Sequence, residues 1–197
     1  MYSAKAKYGR LTGDRQQFLD VAVEASELTL PYLVTQDDSY KGKRTLLQPW
    51  QSVGAKATVT LAAKLMLALL PPQTAFFKLQ VRDDKIGKEM ELTPEMRSEL
   101  DLSFSKIERN IMDYIAASND RVVVHQALKH LIVSGNALIF MGKEGLKHYP
   151  LNRYVVDRDG NGNVIEIITK EMVSRKVLGL ELPKPPEQGV NLSLIHI

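Results

Sequence analysis

Residues 48–78 read Gln-Pro-Trp-Gln-Ser-Val-Gly-Ala-Lys-Ala-Thr-Val-Thr-Leu-Ala-Ala-Lys-Leu-Met-Leu-Ala-Leu-Leu-Pro-Pro-Gln-Thr-Ala-Phe-Phe-Lys, and their interpretation decides the fold. Pro49 has the fixed φ suited to a first helical turn, while the tandem Pro71 and Pro72 cannot continue a ladder of backbone hydrogen bonds. The stretch therefore predicts one helix with a marked start and a hard stop. From Leu61 to Leu70 every position except Lys64 is apolar or alanine, so no single stripe faces one core. A helix that is apolar nearly all round is packed on most sides, within its own fold or against copies of itself.

On the N-terminal side, residues 1–11 read as a polar, lysine-bearing lead. Thr12 or Asp14 then caps a helix whose face is Phe18, Val21, Ala22, Ala25 and Leu28, closed by Pro31. A polar loop follows at 34–47. On the C-terminal side, residues 76–81 alternate as a short strand, and 82–91 form a charged connector. Thr93, Pro94 and Glu95 supply cap, first turn and dipole partner for a third helix. Its apolar residues Met96, Leu100, Phe104, Ile107, Ile111 and Ile115 recur at spacings that make one continuous face. Asn119-Asp120 opens a fourth helix through Val124, Leu128, Leu131 and Ile132, with Gly135-Asn136 as its left-handed exit.

Beyond this point the periodicity changes to β: 137–141, 147–149, 153–157 and 164–169, with a turn at Asp159-Gly160-Asn161-Gly162. The expected class is α+β, an N-terminal bundle of about four helices followed by a small antiparallel β unit. The expected divisions are 1–136, mainly helical; 137–175, the hairpin unit; and 176–197, an irregular tail with Pro183, Pro185 and Pro186. Its last six residues, Leu192-Ser193-Leu194-Ile195-His196-Ile197, resemble the translation of a transposon-end sequencing adapter.

The 197 residues suffice for a real core. The net charge of +3 arises from 26 basic and 23 acidic residues that alternate along the chain, so no dense basic block announces nucleic acid. Without cysteine there is no disulfide framework and no thiolate metal site. No apolar run reaches the roughly 20 residues a bilayer requires.

Candidate chemistry fails position by position. Asp157, Asp159 and Asn161, with Gly162, fit the opening of a calcium loop, but the twelfth place is Ile168 where a bidentate glutamate is needed. His125 and His130 are five apart, about 140° around a helix, and read as ordinary helical residues. Ser134-Gly135-Asn136 lacks the pattern of a nucleophile elbow, and Gly142-Lys143 is followed by Glu144 rather than Ser or Thr. No catalytic, cofactor-binding or metal residue is assigned, and no cofactor is expected.

The stretch Pro49-Trp50-Gln51-Ser52-Val53-Gly54-Ala55, followed by Leu61-Ala62-Ala63-Lys64-Leu65-Met66-Leu67-Ala68-Leu69-Leu70-Pro71, resembles the N-terminal part of the portal, or head-to-tail connector, proteins of short-tailed bacteriophages. Three further stretches agree in order. They are Asp14-Arg15 leading to Leu28-Thr29-Leu30-Pro31; residues 127–138 with Gly135-Asn136; and Tyr154-Val155-Val156-Asp157-Arg158-Asp159 with Gly162-Asn163-Val164 behind it. These are packing and turn motifs, so their specificity lies in number and order.

The resemblance implies a structural protein of the virion, assembled in the host cytoplasm. Its ring of about twelve copies at one capsid vertex is closed by head-to-tail contacts. Through that ring double-stranded DNA is packaged and later ejected, so the implied partners are the protein itself, capsid, scaffolding, terminase motor and tail proteins, and the DNA. This chain would be the outer, wing-like body, and no DNA-lining residue is assigned. The alternative is a stand-alone nucleic-acid-binding module using Lys41, Lys43, Arg44 and the basic N-terminus. An enzyme with an unrecognised site ranks below both.

Overall fold

A computed structural model describes residues 4–35, 48–49, 51–80, 93–143, 145–171 and, as backbone, 191–196. The Lys41, Lys43 and Arg44 cluster, Trp50, the whole 82–91 connector and the proline-bearing stretch 172–190 lie outside the described residues.

Four helices, α1 (Ala4–Leu28), α2 (Val53–Leu69), α3 (Pro94–Ala117) and α4 (Asp120–Ser134), precede the strands. β1 (Leu138–Gly142) and β2 (Gly145–Tyr149) form a two-stranded antiparallel ribbon. β3 (Tyr154–Arg158), β4 (Val164–Glu171) and β5 (Asn191–His196) form a three-stranded antiparallel sheet with β4 in the centre. The α+β class holds, but the β part is two sheets rather than one hairpin unit. Asn191–His196, read as irregular from the sequence, pair with β4.

The first helix starts at Ala4, eight residues before the expected cap. Thr12 is not a cap because its Oγ1 donates to the carbonyl of Tyr8 at 2.7 Å, one turn back inside the helix. The buried face is Leu11, Leu19, Ala22 and Ser26, so of the expected face only Ala22 is buried. Phe18, Val21 and Leu28 point outward. The reason is Tyr8 and Leu11 in the supposedly polar lead, which pack on Val155 and Ile168 of the sheet and set the rotation of the whole helix.

Polar clips hold α1 along that sheet. Lys7 pairs with the buried Glu166 at 2.9 Å, and Arg15 Nη1 donates to the carbonyls of Leu151 and Tyr154 at 2.9 and 2.7 Å. At the other end, the buried Ser26 hydroxyl donates to the Leu30 carbonyl and accepts from the Val34 amide, folding the chain back after Pro31. The largest core cluster joins Leu19 and Ala22 of α1 to Leu30, Leu33, Val34, Tyr149, Leu151 and Tyr154.

Helix α2 begins at Val53 rather than at Pro49, since Ser52 takes the cap position and its carbonyl accepts from the Lys56 amide at 2.9 Å. It stops as expected, with Leu70 as the last cap before Pro71. Arg121 of α4 donates from Nη2 to the Leu70 carbonyl at 2.6 Å, placing a cation at the negative end of α2. Residues 76–80 are not a strand. No partner strand lies beside them among the described residues, and the Leu79 amide instead donates to Glu108 Oε1 of α3 at 2.6 Å. In α3, Thr93 caps through its side chain to the Met96 amide, with Pro94 in the first turn.

Helix α4 ends where the sequence predicts, at Gly135, whose φ of 70° is the left-handed conformation that closes a helix. It is clipped to the ribbon by Asp120, whose Oδ1 accepts the Leu146 amide at 2.8 Å. In the turn before β4, Asp159 accepts from the amides of Asn161 and Asn163, which occupies its carboxylate as a turn former. Ile168 is fully buried in β4, so the sequence's mock calcium loop is a hairpin.

Candidate self-association surface

The residues singled out in the sequence divide into three sets. Leu65 and Met66 face inward: Ala62 and Met66 meet Leu128 of α4, and Leu65, Leu70, Val124 and Ile132 flank that seam. Gly54, Pro71, Gly135 and Asn136 are turn and close-approach positions. A Cβ on Gly54 would lie 2.7 Å from the Leu28 carbonyl oxygen, so glycine is what lets α2 start against the end of α1. Pro49 and Gln51 are described but precede the helix, and Trp50 lies outside the described residues.

The third set faces out. Val53, Leu61, Lys64 and Leu67 are exposed on α2, with Leu61 at 46% and Leu67 at 60%. Val59 and Leu69 are exposed as well. Only Thr58, Ala62 and Met66 of this helix are buried. Of the expected packing, within the fold or against copies, α4 supplies one side within this chain.

Helix α3 is the larger surprise. The periodicity of Met96, Leu100, Phe104, Ile107, Ile111 and Ile115 predicts a core face, yet no residue of α3 is buried. Leu102 is 62% exposed, and Met96, Ile107 and Ile111 are exposed too. Period reports that a face is apolar; it does not report which molecule covers it. Large apolar side chains left exposed along one helix make α3 a candidate interaction surface.

The described residues contain no group of three or more His, Asp or Glu side chains able to hold a metal ion. No described helix is long and apolar enough to cross a membrane. The sequence reading missed one pair. His130 of α4, 3% exposed, and His148 of β2 lie with ring centroids 4.3 Å apart and planes tilted by 38°. Burial pushes both imidazoles down to about 4, and the neighbouring His148 adds to the effect on His130. The spacing of 18 residues across a turn gave no local signal for this contact. Lys147 and Tyr149, on either side of His148, both bond Glu171 at the end of β4, tying the ribbon to the sheet.

The sequence profile of the family described as bacteriophage head to tail connecting protein matches residues 2–180. The chain is 38% identical over 176 residues to the portal protein of Enterobacteria phage T3, covering 87% of this chain and 32% of that protein. It is 36% identical over 190 residues to the portal protein of Escherichia phage T7, covering 93% and 35%. For the portal protein of Enterobacteria phage SP6 the figures are 34% over 157 residues, 78% and 29%. The chain spans about a third of the length of these relatives. A match that runs in order through all four helices and strands β1 to β4 places this chain in the bacteriophage head to tail connecting protein family.

Proposed function

We propose that this chain is the N-terminal, wing-forming part of a portal subunit. In the complete protein, heterologous contacts that close by rotation build a ring at one vertex of the capsid. Double-stranded DNA enters through the ring under a terminase motor and leaves through it toward the tail. The partners are other copies, the capsid and scaffolding proteins, the motor, the tail and the DNA. The work is positional and electrostatic, with no covalent chemistry, and the protein is a component of the virion. The turn and packing residues Pro49, Gly54, Leu65, Met66, Pro71, Gly135 and Asn136 shape each subunit, while Val53, Leu61, Lys64 and Leu67 serve contacts outside it.

The observation that carries this reading is the 36–38% identity to portal proteins over 87–93% of the chain. The uncovered apolar faces of α2 and α3 support it, because a subunit built for a ring keeps such faces for its neighbours. The test is electron microscopy and mass measurement of the full-length protein that carries this chain. Closed annular particles are expected. A lone subunit at high concentration overturns the reading.

A further inference from the structure

We propose that the outer edge of β4 is a strand acceptor for the same polypeptide: in the complete protein, native residues standing where 192–197 stand here form the third strand of the sheet. The inference rests on the portal reading, since it takes this chain to be part of a longer portal subunit.

β4 is built as an inner strand. Successive residues of a strand face opposite sides, yet Glu166, Ile167, Ile168 and Thr169 are all buried, so both faces of β4 are covered. α1 covers one of them, with Tyr8 and Leu11 clustered at Ile168 and Lys7 paired with Glu166. Lysine and proline protect edge strands from pairing, and residues 164–169, Val-Ile-Glu-Ile-Ile-Thr, contain neither. The one charge there, Glu166, is already taken by Lys7. β3 pairs along one side of β4, from Tyr154 beside Thr169 to Arg158 beside Val164, so the amides and carbonyls of the other side need a second partner.

In this chain that partner is Asn191–His196, whose backbone runs antiparallel to β4 from Asn191 beside Glu171 to His196 beside Glu166. These residues lie beyond the family match, which ends at 180, and residues 192–197 resemble a sequencing adapter. A segment that does not carry the family's sequence is held there, so the free backbone row of β4 does the recruiting and asks of its donor only an extended conformation. The donor comes from the same polypeptide because residues 172–190 tether it to the end of β4. A segment tethered this closely meets the edge at an effective concentration of about a millimolar, which a strand from another copy has to outcompete.

The test uses the full-length protein expressed from its uninterrupted reading frame. The 197 residues here contain no cysteine, and any that follow are replaced. Lys170→Cys, opposite position 192, is combined with one further cysteine placed in turn at each position from 189 to 195 and oxidised. The expected result is a disulfide within one copy, strong at one position and weak at its neighbours, which point to the other face of the sheet. A disulfide joining two copies, or none at any position, overturns the inference. So does a genome that encodes residues 192–197 as they stand, since no other residues then take the place. Hydrogen exchange of the unsubstituted protein serves if the cysteine pairs impair folding: protection at every amide of 165–170 is expected, and fast exchange at alternate amides marks an unpaired edge and overturns it. Absence of annular particles from the unsubstituted protein sinks the portal reading instead.

Discussion

The amide end of α2 meets the carbonyl end of α1 at Gly54 and Leu28, where a Cβ on residue 54 would stand 2.7 Å from the Leu28 oxygen and 3.3 Å from the Thr29 methyl. Both neighbours are fixed, one being backbone. Gly54→Ala therefore has to shift one helix against the other, at about 1–3 kcal/mol for overpacking. The helix propensity of alanine returns up to about 1 kcal/mol, which is not enough to change the sign. Gly13→Ala is the matched control, because a Cβ there meets nothing within 4 Å inside α1. We expect a lowered denaturant midpoint for Gly54→Ala and a raised one for Gly13→Ala, with unchanged slopes. A stabilised Gly54→Ala would show that the two helices do not approach so closely.

Arg15 is the joint between α1 and the start of the sheet. Its Nη1 serves the carbonyls of Leu151, which opens the 3-10 turn Leu151–Arg153, and of Tyr154, which follows it. Arg15→Met keeps the aliphatic stem and removes the donors, so the cost is two charge-assisted bonds, about 2–4 kcal/mol together. Lysine restores the charge but not the planar fork, and Arg15→Lys is expected to recover less than half of the loss. Hydrogen exchange localises the effect: amides of residues 151–155 should lose protection before those of α4.

The sequence was legible where local chemistry decides the outcome. Thr93 and Pro94 start α3, Pro71 stops α2, and Gly135 ends α4 because each acts on backbone within one turn. It was illegible where distant partners decide. The rotation of α1 depends on Tyr8 and Leu11 meeting Val155 and Ile168, more than a hundred residues away. Residues 76–80 alternate like a strand but lack an adjacent ladder, and Leu79 goes to a glutamate on α3. The same limit governs the surface. Leu61 and Met66 are equally apolar in the sequence, and only the position of α4 makes Met66 a core residue and leaves Leu61 exposed.

Gly135 carries the left-handed turn from α4 into β1, at φ 70°. Its Cβ space is open, so a side chain there meets conformational strain and no clash. Gly135→Ala is expected to cost about 1 kcal/mol, and Gly135→Asn less, since asparagine tolerates this region. The ratio separates strain from packing. If alanine and asparagine cost the same in thermal unfolding, backbone conformation is not what the glycine supplies.

The His130–His148 contact makes stability depend on pH in a defined window. Burial holds both imidazoles neutral, at about 4 against an ordinary 6.5, so the unfolded chain binds protons first as the pH falls. At pH 7 and above neither group contributes. Between about 6.5 and 4 the folded state loses stability, by about 1–2 kcal/mol per histidine at pH 5 with their partial solvation discounted. Burial acts to raise Glu171, but its bonds to Lys147 and Tyr149 outweigh this and hold it below the usual carboxylate range, so its contribution to stability is present above that range and is lost as the pH falls through it. His125 is also lowered, by burial first and then by Lys129. We expect thermal melts of His130→Gln/His148→Gln to be nearly flat from pH 7 to 5, where the parent loses several degrees. An equal slope in both proteins would mean that the imidazoles are solvated and already titrate normally in the folded chain.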